Sequence, residues 1–223
     1  MNTATTGRRP KVFQIGFNKT ATTSLYNLFE QSGYMVIHGG GRRHRRKGHP
    51  ALQKINIHRV VHGNIQAGRP PVQGFEDFDG FFDMERTTSN EMLHNYFHFD
   101  KFAEAYPDAK FILNYRDFEP WATSRLKYKD GAYARAMCLF YDTDETGLRE
   151  IWRKQYNDHI ARVKAYFFDQ PERLFVFPLE QAPVEALSEF VAPHYRLDLA
   201  HWGHARSSAD RERKQALKKA KLA

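Results

Sequence analysis

Cysteine is almost absent from this chain. Cys138 stands alone among 223 residues, so no intrachain disulfide can form. Long apolar runs are missing as well: no stretch approaches the roughly 18 uncharged apolar residues of a membrane span. The opening MNTATTGRRPKVF carries two arginines but no apolar segment behind them, and does not read as a signal peptide. These absences lead to the expectation of a cytoplasmic protein without a membrane span. There is no internal repeat and no long low-complexity tract. Helix-turn-helix, zinc-finger and RNA-binding fingerprints are lacking too, so no nucleic-acid partner is expected. Acidic residues are the minority, 26 against 34 Lys plus Arg, for a formal charge of +8. Such a balance attracts anions of many kinds without choosing among them. The charge is concentrated in RRHRRKGH (42–49) and RERKQALKKAKLA (211–223), and the simplest reading of each is a solvated surface.

Aromatic residues, at 14%, are ample for a core, and the length suits one α/β domain. KVFQIG (11–16) reads as a buried strand ended by glycine. Residues 22–31 read as a helix with Leu25, Leu28 and Phe29 on one face, stopped by Gly33. YMVIH (34–38) reads as a second strand, which makes a βαβ unit with a right-handed crossover. GGGRRHRRKG is a loop by composition, ALQKINIHRVVHGNIQAG holds a helix, and GRPPVQG is a breaker. FDGFFDM (78–84) is a short strand. NEMLHNYFHFDKFAEAYP reads as one helix ending before Pro107. KFILNY (110–115) is the clearest strand, PWATSRLKY opens a helix, and GLREIWRKQYNDHIARVKAYFFD is a long amphipathic helix. RLFVFPL and VEALSEFV close the series as strand and helix. The alternation predicts a three-layer α/β/α domain with a central parallel sheet. The expected limits are a flexible terminus at 1–10, the domain at 11–205, and a basic helix or tail at 206–223.

One lysine is absent from where a nucleoside triphosphate would want it. In GFNKTATTSL (16–25), a Walker A loop laid over Gly16 puts its second glycine on Ala21, its lysine on Thr22 and its Mg²⁺-binding hydroxyl on Thr23. The strand–loop–helix context remains, so backbone N–H groups can still wrap an anion at a helix N-terminus. Thr22, Thr23 and Ser24 add hydroxyls. Lys19 comes earlier, on the loop crest, from where it reaches past a cradled phosphate to its outer edge. That suits transfer of a group hanging from a 5′-phosphate: a lysine there stabilises charge growing on the bridging oxygen and can donate a proton. A sulfuryl group would need no Mg²⁺. The plainer alternative is a polar turn with a helix cap.

A second segment, KFILNYRDFEPWATS, places Arg116 at the C-terminal end of the clearest strand and Ser124 eight residues later in the following helix. Strand C-termini form the ligand edge of a parallel sheet, and an arginine with a serine hydroxyl there can hold a second phosphate. The alternative is an ordinary ion pair of Arg116 with Asp117 or Glu119.

Together the two segments resemble the sulfotransferases that use 3′-phosphoadenosine-5′-phosphosulfate (PAPS). GFNKTATTSL looks like their 5′-phosphosulfate loop, with Asn18 and Ala21 departing from the commonest residues and Ala21 standing where glycine is usual. RDFEPWATS resembles their 3′-phosphate segment, with Phe118 in the place of a common proline. The resemblance runs with gaps from about 11 to 187. It implies a P-loop-like core and sulfuryl transfer from PAPS, as co-substrate and with no metal, to an acceptor hydroxyl or amine. It makes Lys19 catalytic, gives the 5′-phosphate to Thr20, Ala21, Thr22, Thr23 and Ser24, and gives the 3′-phosphate to Arg116 and Ser124. The family also uses a base to take the acceptor's proton. Asp83, after GFF at a strand end, is the first choice, with Glu85, Glu76, His94 and His38 as rivals. HWGHARSSADRERK (201–214) is a counterpart of the segment that closes the adenine site, without its usual spacing. A small-molecule or glycan acceptor is expected, an anionic one being among the candidates because of the basic run at 42–47. The competing readings are a P-loop kinase and a basic nucleic-acid-binding protein.

Overall fold

The computed structural model describes residues 9–41, 48, 56–88 and 90–203. The basic runs at 42–47 and 211–223, the terminus before residue 9, and residues 204–214 of the segment expected to close an adenine site lie outside the described residues. The architecture is α/β: a central parallel sheet of five strands with helices on both faces. Its strands are β1 (Val12–Gln14), β2 (Val36–His38), β3 (Gly80–Phe82), β6 (Lys110–Tyr115) and β7 (Leu174–Pro178). They lie in the order β2-β3-β1-β6-β7, every pairing parallel. β2 therefore pairs with β3, which enters between the two strands of the expected βαβ unit.

Side-chain alternation along the strands builds the two faces. Phe13, Phe81 and Phe111 share one core with Trp121, Trp152 and Val163. Val12, Phe82, Ile112 and Phe177 share the other with Leu25, Leu28 and Phe29 of α1 (Thr22–Gln31) and Leu187 and Val191 of α7 (Val184–Val191). The first face is covered by α2 (Ile57–Gln66), α3 (Phe99–Ala105), α4 (Phe118–Leu126), α5 (Ala132–Tyr141) and α6 (Glu145–Tyr166). Each fully buried large apolar side chain contributes about 1.5–3 kcal/mol. α1 stops where the sequence suggests: Gly33 takes φ 90°, and the Tyr34 N–H returns to the Phe29 carbonyl at 3.1 Å.

NEMLHNYFHFDKFAEAYP is corrected. Only Phe99–Ala105 is α-helical; Asn95–His98 forms a 3₁₀ turn. Met92–His94 is a strand, β5, pairing antiparallel with β4 (Glu85–Thr87). The tie between these strands explains the difference. Glu91 Oε2 accepts from Arg86 Nε, Glu91 Oε1 accepts from Arg59 Nε on α2 at 2.8 Å, and Glu85 pairs with His94. Such tertiary pairing overrides a local helical pattern.

Candidate active site

The parallel arrangement brings the C-terminal ends of all five strands to one edge. The stretch 16–21 leaves β1 there and enters α1 directly. Gly16 is indispensable to the approach: a Cβ on it would lie 1.9 Å from the Asn114 carbonyl oxygen on β6. Two residues of the loop adopt the left-handed conformation, Lys19 (φ 65°) and Ala21 (φ 61°), and Ala21 is also the N-cap of α1. Alternation of this kind turns successive N–H groups toward a common point. Ala21 does so without the freedom of a glycine, so the loop carries backbone strain.

Five of the six loop carbonyls are taken up by the protein. Gly16 O accepts from Gln14 Nε2 at 2.7 Å, Phe17 O from the Thr20 hydroxyl, and Asn18 O from Trp121 Nε1 at 3.0 Å. Thr20 O accepts from Asn114 Nδ2, and Ala21 O from the Leu25 N–H at 3.0 Å. Just before the loop, Ile15 O takes the Nε2–H of His159, 2.7 Å away. A carbonyl can only accept, so this contact fixes the histidine tautomer. Burial holds His159 down at about 4, against the smaller upward pull of that hydrogen bond, and it is neutral at pH 7.

Two buried amides were missed by sequence reading. Gln14 sits on β1 and Asn114 on β6, both on the α1 side of the sheet and both fully buried. Gln14 Nε2 donates to Asn114 Oδ1 at 2.7 Å, Asn114 Nδ2 lies 2.8 Å from the Thr20 hydroxyl oxygen, and Gln14 Oε1 receives the Asp83 N–H at 2.8 Å. The signal for them was a polar residue inside an otherwise apolar strand, in VFQI and FILNY, immediately before a ligand edge.

Asp83 follows β3 in the left-handed region (φ 55°) and meets His38, the last residue of β2. His38 Nδ1 lies 3.7 Å from Asp83 Oδ2, while His38 Nε2 stands 3.4 Å from the Thr22 hydroxyl and 3.3 Å from that of Thr23. The expected base and its rival are thus neighbours, joined to the first residues of α1. Ser24 is buried on the same turn.

The other rivals stand elsewhere. Glu76 precedes β3, and its carbonyl takes the ammonium of Lys11 at the start of β1, so it belongs to the opposite edge of the sheet. Glu85 and His94 lie in a buried network. The Glu85 side chain, 3% exposed, meets Arg125, 1% exposed, at 3.3 Å. Glu85 Oε1 also accepts from Asn18 Nδ2 at 2.9 Å and from the Tyr133 hydroxyl, and Oε2 from Tyr96 at 3.3 Å. Burial pushes the Glu85 carboxyl up, but Arg125, His94 and the two hydroxyls together hold it below its ordinary value. Burial outweighs Glu85 at His94 and holds that imidazole down at about 4. The guanidinium of Arg125 lies over Trp121 and Trp152, 4.6 Å and 4.5 Å from their ring centroids. This ion pair is an internal brace that ends on the loop at Asn18.

Arg116 follows β6 at the edge and donates from Nε to Glu180 at 3.0 Å. Its carbonyl takes the Tyr156 hydroxyl. Ser124 is half-buried on α4, one turn beyond Trp121, the residue that binds the loop at Asn18. Among the described residues, no helix is long and apolar enough to cross a membrane.

A protein-family model described as a sulfotransferase domain matches residues 11–133, more than half of the chain. The match takes in both the Gly16 loop and the Arg116–Ser124 segment. No curated protein matches the chain.

Proposed function

Because the chain belongs to the sulfotransferase domain family, we propose that it transfers a sulfuryl group from PAPS to a hydroxyl or amine of a small-molecule or glycan acceptor. The products are the sulfated acceptor and adenosine 3′,5′-bisphosphate, and the setting is the cytoplasm. The observation that carries the reading is the 16–21 loop. Five of its six carbonyls are engaged within the protein, two of its residues are left-handed, and α1 begins directly behind it. That polarity fits an anion.

In this reading the N–H groups and hydroxyls from Thr20 to Ser24 hold the 5′-phosphate, and Arg116 with Ser124 holds the 3′-phosphate. The acceptor oxygen or nitrogen attacks sulfur while the bond from sulfur to the bridging oxygen breaks. The electron pair of that bond stays on the 5′-phosphate, where the Lys19 ammonium meets the growing charge. The acceptor's proton passes to Asp83, with His38 alongside to share it. No step calls on a metal ion.

The test is thermal stabilisation without Mg²⁺ by adenosine 3′,5′-bisphosphate, AMP and, with Mg²⁺ added, ATP. The bisphosphate should stabilise most, since a charge-assisted contact of the 3′-phosphate type is worth roughly 1.5–3 kcal/mol. Equal shifts with AMP and the bisphosphate would remove the 3′-phosphate site. A larger shift with Mg-ATP would replace sulfuryl transfer by triphosphate chemistry. A screen with sulfur-35-labelled PAPS, read by product mass, then identifies the acceptor.

A further inference from the structure

Lys19 does not extend from the loop crest into open space: its ammonium lies over the ring of Tyr128, 4.8 Å from the centroid. Tyr128 belongs to the corner between α4 and α5, and this corner has an unusual backbone. Lys129, Asp130 and Gly131 are left-handed in succession, at φ 55°, 55° and 77°. Two of the three carry side chains that disfavour this conformation. Strain of this kind persists where surrounding structure over-determines it, and it clusters beside functional groups.

The surroundings here are well tied. The Tyr128 N–H reaches the Arg125 carbonyl at 3.1 Å, the Ala132 N–H reaches that of Lys129 at 3.0 Å, and Arg135 Nη1 reaches that of Asp130 at 3.1 Å. The Tyr128 ring packs on Tyr133 with centroids 5.7 Å apart. The Tyr133 hydroxyl in turn bonds Glu85, the carboxylate that also holds the Asn18 side chain. The residue before Lys19 and the ring beneath its ammonium are therefore fixed in one frame by the same buried carboxylate.

We propose that Tyr128 is a positioning residue for Lys19: its ring face holds the ammonium at the loop crest, so that the charge is in place before the donor arrives. The proposal rests on the catalytic part given to Lys19 above. A cation held by a ring quadrupole needs an aromatic face and not a hydroxyl. Tyr128→Phe should therefore keep the contact, and Tyr128→Leu, apolar and of comparable bulk, should lose it. The ring already carries a second cation, with Lys129 Nζ 5.3 Å from the centroid, so its face is attractive to ammonium groups at this place.

The experiment has two arms. The first follows the Lys19 side-chain resonances by ¹³C–¹H NMR, assigned with Lys19→Arg. Ring current should shift the Lys19 εCH₂ protons upfield in wild type and in Tyr128→Phe, and the shift should vanish in Tyr128→Leu. The second arm measures turnover with PAPS and affinity for adenosine 3′,5′-bisphosphate. Tyr128→Leu should lose about two- to fivefold in turnover, the value of a part-exposed cation–π contact, with affinity unchanged and with Tyr128→Phe at the wild-type level. Tyr128→Leu retaining the upfield shift, or turning over like Tyr128→Phe, overturns the proposal. A wild-type protein that transfers nothing from PAPS overturns the sulfuryl-transfer reading, and the resonance comparison then decides the contact by itself.

Discussion

Arg116 at the end of β6 is paired with Glu180, just beyond the end of the neighbouring strand β7, across 3.0 Å. Both side chains are about one-third exposed, so the pair is weak, about 0–1 kcal/mol. A phosphate arriving at Arg116 competes with this carboxylate. Glu180→Gln should tighten adenosine 3′,5′-bisphosphate binding by up to about fivefold and leave AMP binding unaltered. Calorimetric titration of both ligands reads the difference, and an equal gain for AMP would mean that Glu180 acts on the whole edge and not on the 3′-phosphate.

Lys19→Ala should lower turnover on the order of 10²–10³-fold, as does loss of a preorganised charge stabiliser. Bisphosphate affinity should fall far less, because the loop backbone, Arg116 and Ser124 remain. Lys19→Arg should recover only part of the rate, since a planar guanidinium does not occupy the point of an ammonium. Weakened binding with unchanged saturated turnover would make Lys19 an anchor.

Ala21, at φ 61°, occupies a conformation that costs a residue with a side chain roughly 1–2 kcal/mol. Ala21→Gly should relieve this strain and raise the melting temperature by about 2–8 °C for a chain of this size, with tighter bisphosphate binding. Gly16→Ala should do the reverse and prevent the loop from closing on β6, because its Cβ would stand 1.9 Å from Asn114 O. A lowered melting temperature for Ala21→Gly would show that the loop has no strain to relieve.

Acid should destabilise the protein well before ordinary carboxylates titrate. His94 and His159 are both held down at about 4 by burial, below the usual value near 6.5. The unfolded chain therefore binds protons first as pH falls, and stability declines between about pH 6.5 and 4, by at most about 1.4 kcal/mol per pH unit for each histidine. Glu85, held below its ordinary value, extends the loss in the same direction at lower pH. His159→Gln keeps a donor for Ile15 O without a titrating ring, and should flatten the slope. Melting temperatures measured from pH 7 to 4.5 decide it, and an unchanged midpoint would contradict the burial argument.

What could be read from the sequence was what depends on neighbours along the chain. Helix α1 was visible from Leu25, Leu28 and Phe29 at helical spacing and from Gly33 beyond them, and the sheet from short apolar runs alternating with helices. Tyr96, Phe97 and Phe99 continue the spacing of Met92 and Leu93, which gives β5 a helical pattern; its strand character comes from Glu91 meeting Arg59 and Arg86. The Glu85–Arg125 brace joins residues 40 positions apart, and the Gln14–Asn114 bond residues 100 apart. No local pattern encodes such pairs. Arg125 stood in ATSRLKY as one more helix residue, although it is among the largest fully buried side chains.

The strand order turns the ligand edge into a ruler. Read across β2-β3-β1-β6-β7, the edge presents His38, Asp83, Gly16, Arg116 and Glu180 in that sequence. Neighbouring strands stand about 4.8 Å apart, so Asp83 and Arg116 are separated by two steps, about 10 Å. The Asp83 carboxylate repels an anion and the Arg116 guanidinium attracts one, so an anion arriving at the Gly16 loop is drawn to its Arg116 side. A nucleotide with phosphates at both ends of its ribose can engage the central loop and the Arg116 mark together. The edge is thus graded in charge as well as in distance, with a carboxylate one step to one side of Gly16 and a guanidinium one step to the other.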